Sequence, residues 1–248
     1  MMEGYAVVFV AGFLAGFINS VAGGGTLITF PSLVWAGLDP VVANMTNTVA
    51  LWVGSLGGAW GFRKNFYEVK NLILPFLVVS SVGAILGAFL LLYTPSSTFK
   101  NLVPFLILLA VLLLALSETI KKALIRLPFG RFSFLFSLFL QFITGVYGSY
   151  FGAGIGIMML TSLSLSGIGN IHIANALKNM LGFVINLIGA FIFALSGKVN
   201  WHFVVLLMPS FALGGYAGAK ISLKFHPRTV KFFVVLWGIL VCLYTLLK

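Results

Sequence analysis

Charge is what this chain of 248 residues has least of. Asp, Glu, Lys and Arg together make up 8% of it, and only four residues are acidic. Soluble domains carry about 25% charged residues, so water is not the main solvent here. One cysteine, Cys242, excludes a disulfide framework and a thiolate metal site, and leaves that thiol packed or facing lipid. The three histidines, His172, His202 and His226, fall at the ends of apolar runs and lack metal-ligand spacing; they read as solvated interface residues. Glu3, Asp39, Glu68 and Glu118 all sit at ends or in loops. Without an acid inside an apolar run, an intramembrane aspartyl protease and a buried carboxylate relay are both excluded. A serine-hydrolase elbow is missing too, because "GSY" at 148–150 is not GxSxG.

What the chain does have is hydrophobic residues, at 60%. Windows of about 20 apolar residues, enough to cross a hydrocarbon core of about 30 Å, lie near 43–62, 71–93, 100–119, 174–196, 202–223 and 229–247. The chain therefore reads as an all-α polytopic membrane protein. Its net charge of +11 does not point to nucleic acid. The 15 Lys and Arg fall almost entirely in short loops, as in cytoplasmic loops of membrane proteins, with no basic helical face or RNA-binding aromatic pattern. Glu3 and the lack of a basic n-region argue against a signal peptide ending near Ala22. The expected partners are lipid and a small anion, with no cofactor and no nucleic acid; a homo-oligomer stays open.

The sequence repeats itself. "GFINSVAGGGTLI" (16–28) matches "GVYGSYFGAGIGI" (145–157), with Gly16, Ser20, Gly23 and Gly25 falling on Gly145, Ser149, Gly152 and Gly154. "VVANMTNTVALWVGSLGG" (41–58) resembles "HIANALKNMLGFVINLIG" (172–189), and "GAILGA" (83–88) meets "GGYAGA" (214–219). Three matches in order, at offsets of 129 to 131, indicate duplication. The expected units are a first repeat at 1–120, a basic linker at 121–131 and a second repeat at 132–248.

Apolar stretches around each glycine run are short. Residues 5–20 make a helix of about 24 Å and 26–37 one of about 18 Å, too short singly and too long if joined. A re-entrant, broken helix pair fits, followed in each half by three spanning helices. The alternative, eight spans with parallel halves, splits the loop cations 9 to 5. The re-entrant plan puts Arg63, Lys64, Lys70, Lys121, Lys122, Arg126, Arg131, Lys220, Lys224, Arg228 and Lys231 on one side, against Lys100, Lys198 and Lys248. That split of 11 to 3 favours inverted repeats with both termini outside.

Irregular backbone at membrane depth is tolerated only where protein or a water-filled cavity covers it. Gly23, Gly24 and Gly25, and then Gly152, Ala153 and Gly154, therefore mark the inside of the molecule, at equivalent points of two repeats. Broken helices meeting there are a transporter plan. Thr26 begins a helix whose first N–H groups favour an anion. "GSLGG" (54–58) and "GGYAG" (214–218) read instead as close helix packing, and "GAGIG" lacks the βαβ context of a dinucleotide fingerprint. Lys178 is the one charged residue placed toward the interior. With no acid in any span to pair it, a bound anion satisfies it best; the bland alternative is snorkelling to the interface. Asn44, Thr46, Asn47 and Thr48 occupy the matching helix start, Asn175 and Asn179 flank Lys178, and Asn19, Ser20, Tyr147 and Ser149 precede the glycine loops. These amides and hydroxyls suit anionic oxygens, although each alone is more often a cap or an interhelical bond.

"GFINSVAGGGTLITFPSL", its degenerate copy "GVYGSYFGAGIGI", and "ANALKNMLGFVINLIGAFIF" followed by "GKVNW" together resemble the sulfite exporter TauE/SafE family, also called the toluene sulfonate uptake permease family. The likeness covers nearly the whole chain. It implies a prokaryotic, multi-pass plasma-membrane permease for sulfite, sulfoacetate or another organosulfonate. Members differ in substrate and direction, so neither carries over. The second loop departs from the first in having Ala153 between two glycines, which suggests unequal contributions to a site. An intramembrane enzyme and a non-transporting scaffold are the rival classes; the scaffold leaves the duplicated loops unexplained.

Overall fold

A computed structural model describes residues 2–21, 24–61, 70–124, 130–168, 171–221 and 227–246. Within them, only the backbone is described at 2–3, 20–21, 54–61, 70, 121–124, 131, 171–172, 219–221, 227–229 and 231. Among the described residues, eleven helices follow one another: α1 (Met2–Val21), α2 (Thr26–Trp35), α3 (Pro40–Gly61), α4 (Lys70–Tyr93), α5 (Ser96–Ala115), α6 (Ser117–Leu124), α7 (Arg131–Tyr150), α8 (Ile155–Leu165), α9 (Ile171–Leu195), α10 (Trp201–Ile221) and α11 (Pro227–Leu246). Among the described residues there is no strand. Five stretches of the described residues are long and apolar enough to cross a membrane: Asn71–Tyr93, Ser96–Ala115, Phe132–Tyr150, Ile173–Leu195 and Trp201–Gly218.

The helices are built for lipid. On α4 the exposed residues Leu74, Val78, Val82, Ile85, Phe89 and Tyr93 form one apolar stripe, while the opposite face buries Ser80, Ala84 and Ala88. A soluble helix has this pattern reversed. Small inward residues let backbones approach, which is how helices associate where surroundings are as apolar as the side chains. Gly83 and Gly87 of α4 lie against the Phe142 and Val146 carbonyls of α7 so closely that a Cβ would overlap them. Gly214 and Gly218 of α10 meet the Phe13 and Phe17 carbonyls of α1 in the same way. The packing reading of "GGYAG" is thus seen directly; the side chains of "GSLGG" lie outside those described.

Contacts between helices come in exchangeable pairs. α1 packs on α10 as α7 packs on α4; α3 meets α10 as α9 meets α4; α2 lies on α11 as α8 lies on α5. α3 and α9 pack on each other, as do α5 and α11. Exchanging α1–α5 with α7–α11 leaves this pattern unchanged. The register agrees residue by residue: Phe13 and Phe142 are 129 apart, Gly83 and Gly214 are 131 apart. The shift of two arises because α8 is one residue longer than α2 and the turn after it is one residue longer than its counterpart.

α2 turns back along α1. A Cβ on Gly25 would overlap the Ala15 carbonyl, and one on Gly4 would touch Ala36 Cβ at 3.9 Å. α8 turns back along α7, with Ser133 Oγ at the start of α7 donating to Leu165 O at 2.6 Å. The start of α1 shares its end of the molecule with the turns α2–α3, α4–α5 and α9–α10. There Asp39 accepts from Val41 N (2.9 Å) and Ser96 Oγ (2.8 Å), Lys198 Nζ donates to Leu92 O, and Tyr5 stacks on Phe203. α7 starts at the opposite end, where Phe134 meets Phe76 near the start of α4.

The first helix of each hairpin is longer than its apolar run suggests. α1 and α7 each have 20 residues, about 30 Å. In α7 the apolar run is broken by Ser133, Ser137, Gln141 and Thr144, yet these polar groups are met inside the protein. Ser137 and Thr144 donate to the carbonyls of Phe134 and Leu140, and Gln141 donates to Ser80 Oγ at 2.8 Å and accepts from Ser162 Oγ at 2.6 Å.

Candidate functional site

The two glycine loops sit against one helix. A Cβ on Gly24 would lie 2.9 Å from Leu114 Cδ1, and one on Gly154 would lie 3.4 Å from Ala110 Cα. Leu114 and Ala110 are one turn apart on α5. Phe151, which opens the second loop, packs edge-on against Phe30 of α2 with centroids 5.5 Å apart, and both adjoin Phe99. Gly24, Gly152 and Gly154 all have positive φ, at +96°, +83° and +78°, a region that side chains with a Cβ rarely enter.

At the first loop, Gly25 N donates to Asn19 Oδ1 at 2.8 Å. Leu27 N and Ile28 N already bond back to the carbonyls of Gly24 and Gly25. Thr26 does begin α2, as expected, and is buried. Asn47 Oδ1 accepts from Thr29 Oγ1 at 2.6 Å, which fixes α3 to α2. Gly23 lies outside the described residues, as does the side chain of Ser20.

At the second loop the expected residues separate into two groups. Asn44, fully buried on α3, donates from Nδ2 to Tyr150 O at 2.7 Å. Thr48 Oγ1 donates to Asn44 O (3.0 Å) and Ser149 Oγ to Ile185 O (3.3 Å). A Cβ on Gly189 would lie 3.2 Å from Ser149 Oγ and 3.3 Å from Thr48 Cγ2, so these residues share one level of the bundle. Lys178 belongs to another level. It is half-buried, and its Cδ is 3.7 Å from where a Cβ on Gly156 would stand, in the first turn of α8. Asn175 and Asn179, also half-buried, accompany it on α9. Lys178 and Gly189 are eleven residues apart on α9, about 16 Å along its axis. Tyr147 is buried, with its hydroxyl donating to Leu106 O at 3.4 Å, and Ala153, between the two loop glycines, is fully buried.

Among the cavities between the described residues are two that no glycine loop lines. One of about 780 Å³ lies between α2, α5 and α11, bounded by Phe30, Pro31, Trp35, Lys100, Trp237 and Tyr244. The other, about 540 Å³, lies beside Tyr5, Trp35, Leu38, Asn200 and Phe203. Cys242 is buried, its thiol donating to Pro104 O at 3.4 Å. No group of three His, Cys, Asp or Glu gathers among the described residues.

Buried polar residues that sequence reasoning passed over include Thr29, Ser80, Gln141, Ser162 and Asn186. Gln141 carried a usable signal, as the single glutamine of the chain set within an apolar helix. Thr29 and Ser162 did not, because hydroxyls are common in membrane helices and only the fold supplies their partners.

The family model for the sulfite exporter TauE/SafE matches residues 8–245. The chain belongs to this family. A probable membrane transporter protein, ORF9, of Sinorhizobium is 34% identical over 222 residues, covering 89% of this chain and 82% of that protein. A probable membrane transporter protein of Haemophilus influenzae is 32% identical over 237 residues, covering 93% and 90%. The probable membrane transporter protein YfcA of Escherichia coli K12 is 28% identical over 237 residues, covering 93% and 85%. No solved structure matches the chain significantly. The TauE/SafE membership and the apolar spanning helices make this a multi-pass membrane transporter of the plasma membrane, in contact with lipid and a small substrate, and not an enzyme.

Proposed function

We propose that the chain is a secondary carrier for a small sulfur-containing anion such as sulfite, sulfoacetate or another organosulfonate, working by alternating access between inverted repeats. The repeats are 1–120 and 132–248, joined by the basic linker 121–131, and both termini face outward. The exchangeable helix contacts support the repeats. Hairpins α1–α2 and α7–α8, starting from opposite ends of the molecule, support their inversion and a re-entrant reading of each. Such carriers bind substrate where broken helices of the two halves come together.

One observation carries the anion site: Lys178 lies beside Gly156, in the first turn of the helix that follows the second glycine loop. A cation and a helix amino end there both favour negative charge. Asn175 and Asn179 supply amide donors on either side, and Gly152, Ala153 and Gly154 set the backbone turn that leads into that helix. The first loop, through Asn19, Gly24, Gly25 and Thr26, shapes the opposing wall in this reading. Tyr147 belongs to the same walls in this reading.

Lys178→Ala tests it. The variant should insert and fold, yet lose most of the thermal stabilisation that sulfite or a sulfonate gives the purified protein, together with uptake into proteoliposomes. Affinity equal to the wild type would instead assign Lys178 to the snorkelling alternative, which its half-exposed position favours as the second reading. Lys178→Arg is a softer test, because a planar fork replaces a compact point charge.

A further inference from the structure

We propose that Asn44, Thr48 and Ser149, at the carboxyl end of α7, form a binding site for a monovalent metal cation of the sodium class, separate from the anion site at Lys178. The starting point is Asn44 Oδ1, the one buried side-chain oxygen or nitrogen among the described residues that has no hydrogen-bond partner. Its orientation is fixed, because Tyr150 O can only accept and so must face the amide nitrogen, at 2.7 Å. The oxygen therefore points the other way, fully buried. Leaving an acceptor unmet in such a place is costly, and native proteins seldom do so without a ligand-related reason.

The surrounding groups are acceptors as well. Thr48 and Ser149 have each committed their hydroxyl proton to a backbone carbonyl, so lone pairs are what they offer to anything between them. Ser149 Oγ and the Thr48 methyl both face Gly189, whose missing side chain lets α9 come close to them. α7 ends at Tyr150, and the carboxyl end of a helix carries roughly half a negative charge. Past it the chain leaves helical geometry through Phe151 and the left-handed Gly152. Unwound backbone and helix carboxyl ends are where carriers with broken helices hold coupling cations.

This chemistry narrows the ligand. An anion is disfavoured, since both hydroxyl protons and an Asn44 amide proton are already given to backbone carbonyls. A divalent ion is disfavoured, since calcium-type sites rely on carboxylates and these three residues have none. Asn, Thr and Ser do not titrate, so a proton has nowhere to reside. A monovalent hard cation fits neutral oxygen ligands. Lys178 stands about 16 Å further along α9, far enough not to occupy the same site.

The inference shares the carrier reading for its consequences but not for its test. Full-length protein in detergent is melted in NaCl, KCl or choline chloride at equal ionic strength, with no sulfur anion present. Binding to the native state raises the unfolding midpoint in a saturable way. Sodium should do so and choline should not. Ser149→Ala and Thr48→Val, which keep the Asn44–Tyr150 bond, should raise the half-saturating sodium concentration about tenfold. Asn44→Ala should abolish the effect; if that variant fails to fold, the other two decide. No sodium-specific shift in the wild type, or a shift unchanged in both Ser149→Ala and Thr48→Val, overturns the proposal. Lys178→Ala keeps the two readings apart: it should retain the sodium shift while losing the anion shift.

Discussion

Gly24 and Gly37 provide a matched pair for asking whether the first glycine loop serves transport or only permits a turn. Their φ angles are nearly the same, +96° and +98°. A valine at either position meets the same backbone penalty, about 1–3 kcal/mol for a residue with a side chain held in the left-handed region. Surroundings differ. A Cβ on Gly37 has nothing within 4 Å, whereas one on Gly24 lies 2.9 Å from Leu114 Cδ1 and 3.6 Å from Val234 Cγ1. The nearest atom is the tip of a flexible side chain, so Leu114 rotates at an overpacking cost of about 1–3 kcal/mol. The total for Gly24→Val, about 2–6 kcal/mol, is within reach of a typical reserve of about 5–15 kcal/mol. Both variants should therefore be purified folded, with Gly24→Val melting lower than Gly37→Val. Anion uptake into proteoliposomes, scaled to folded protein, should be lost in Gly24→Val and retained in Gly37→Val. Wild-type uptake by folded Gly24→Val would reduce the loop to a packing feature. Equal loss in Gly37→Val would show that strain alone stops transport.

In a Cys242→Ser background, cysteines replacing Lys64 and Lys100 should label from opposite membrane faces, as the 11-to-3 charge split requires; labelling from the same face would remove the inverted topology. With the membrane potential clamped, a pH gradient should not drive accumulation of a strong-acid sulfonate, because no span carries an acid to relay protons. Accumulation would mean that protons are coupled by another route. A weak acid such as sulfite is unsuitable here, since its own protonation mimics coupling. Export of an anion can still draw about 2.3 kcal/mol per charge from 100 mV.

Much of this architecture is legible in the sequence because lipid imposes a simple rule on length and polarity. The windows at 71–93, 174–196 and 202–223 correspond to α4, α9 and α10 within a few residues. The window at 100–119 runs past the end of α5 at Ala115, since Ser117 bonds its hydroxyl to Leu114 O and the chain restarts as α6. The true length of α7 was hidden by Ser133, Ser137, Gln141 and Thr144, whose partners belong to the fold. The candidate site was legible only as a list. Asn44 and Asn175 match in the repeat, as do Asn47 and Lys178, which suggests one shared site. Yet α3 and α9 pack on each other while running in opposite directions, so matched positions near their starts stand at opposite ends of the pair. Asn44 finds Tyr150, 106 residues away, and Lys178 finds Gly156. No local pattern encodes either partner.

The same exchange of halves makes a quantitative demand on the two glycine seams. Gly87 rests on the Val146 carbonyl in the α4–α7 seam, and Gly218 rests on the Phe17 carbonyl in the α1–α10 seam. The four residues are equivalent in pairs, Gly87 with Gly218 and Phe17 with Val146. In each seam the obstructing atom is backbone, which cannot rotate away as Leu114 does, so an added methyl must push whole helices apart. Overpacking of this kind costs about 1–3 kcal/mol. Gly87→Ala and Gly218→Ala should thus lower the unfolding midpoint by similar amounts. The seams share no residue, so the double variant should show the sum of the two effects within about 0.5 kcal/mol. A neutral result for one glycine and a large one for the other would mean that the halves, though equivalent in contact pattern, do not bear load equally. A double variant much less stable than the sum would mean that the seams are coupled through the central α3–α9 pair, which touches both α4 and α10.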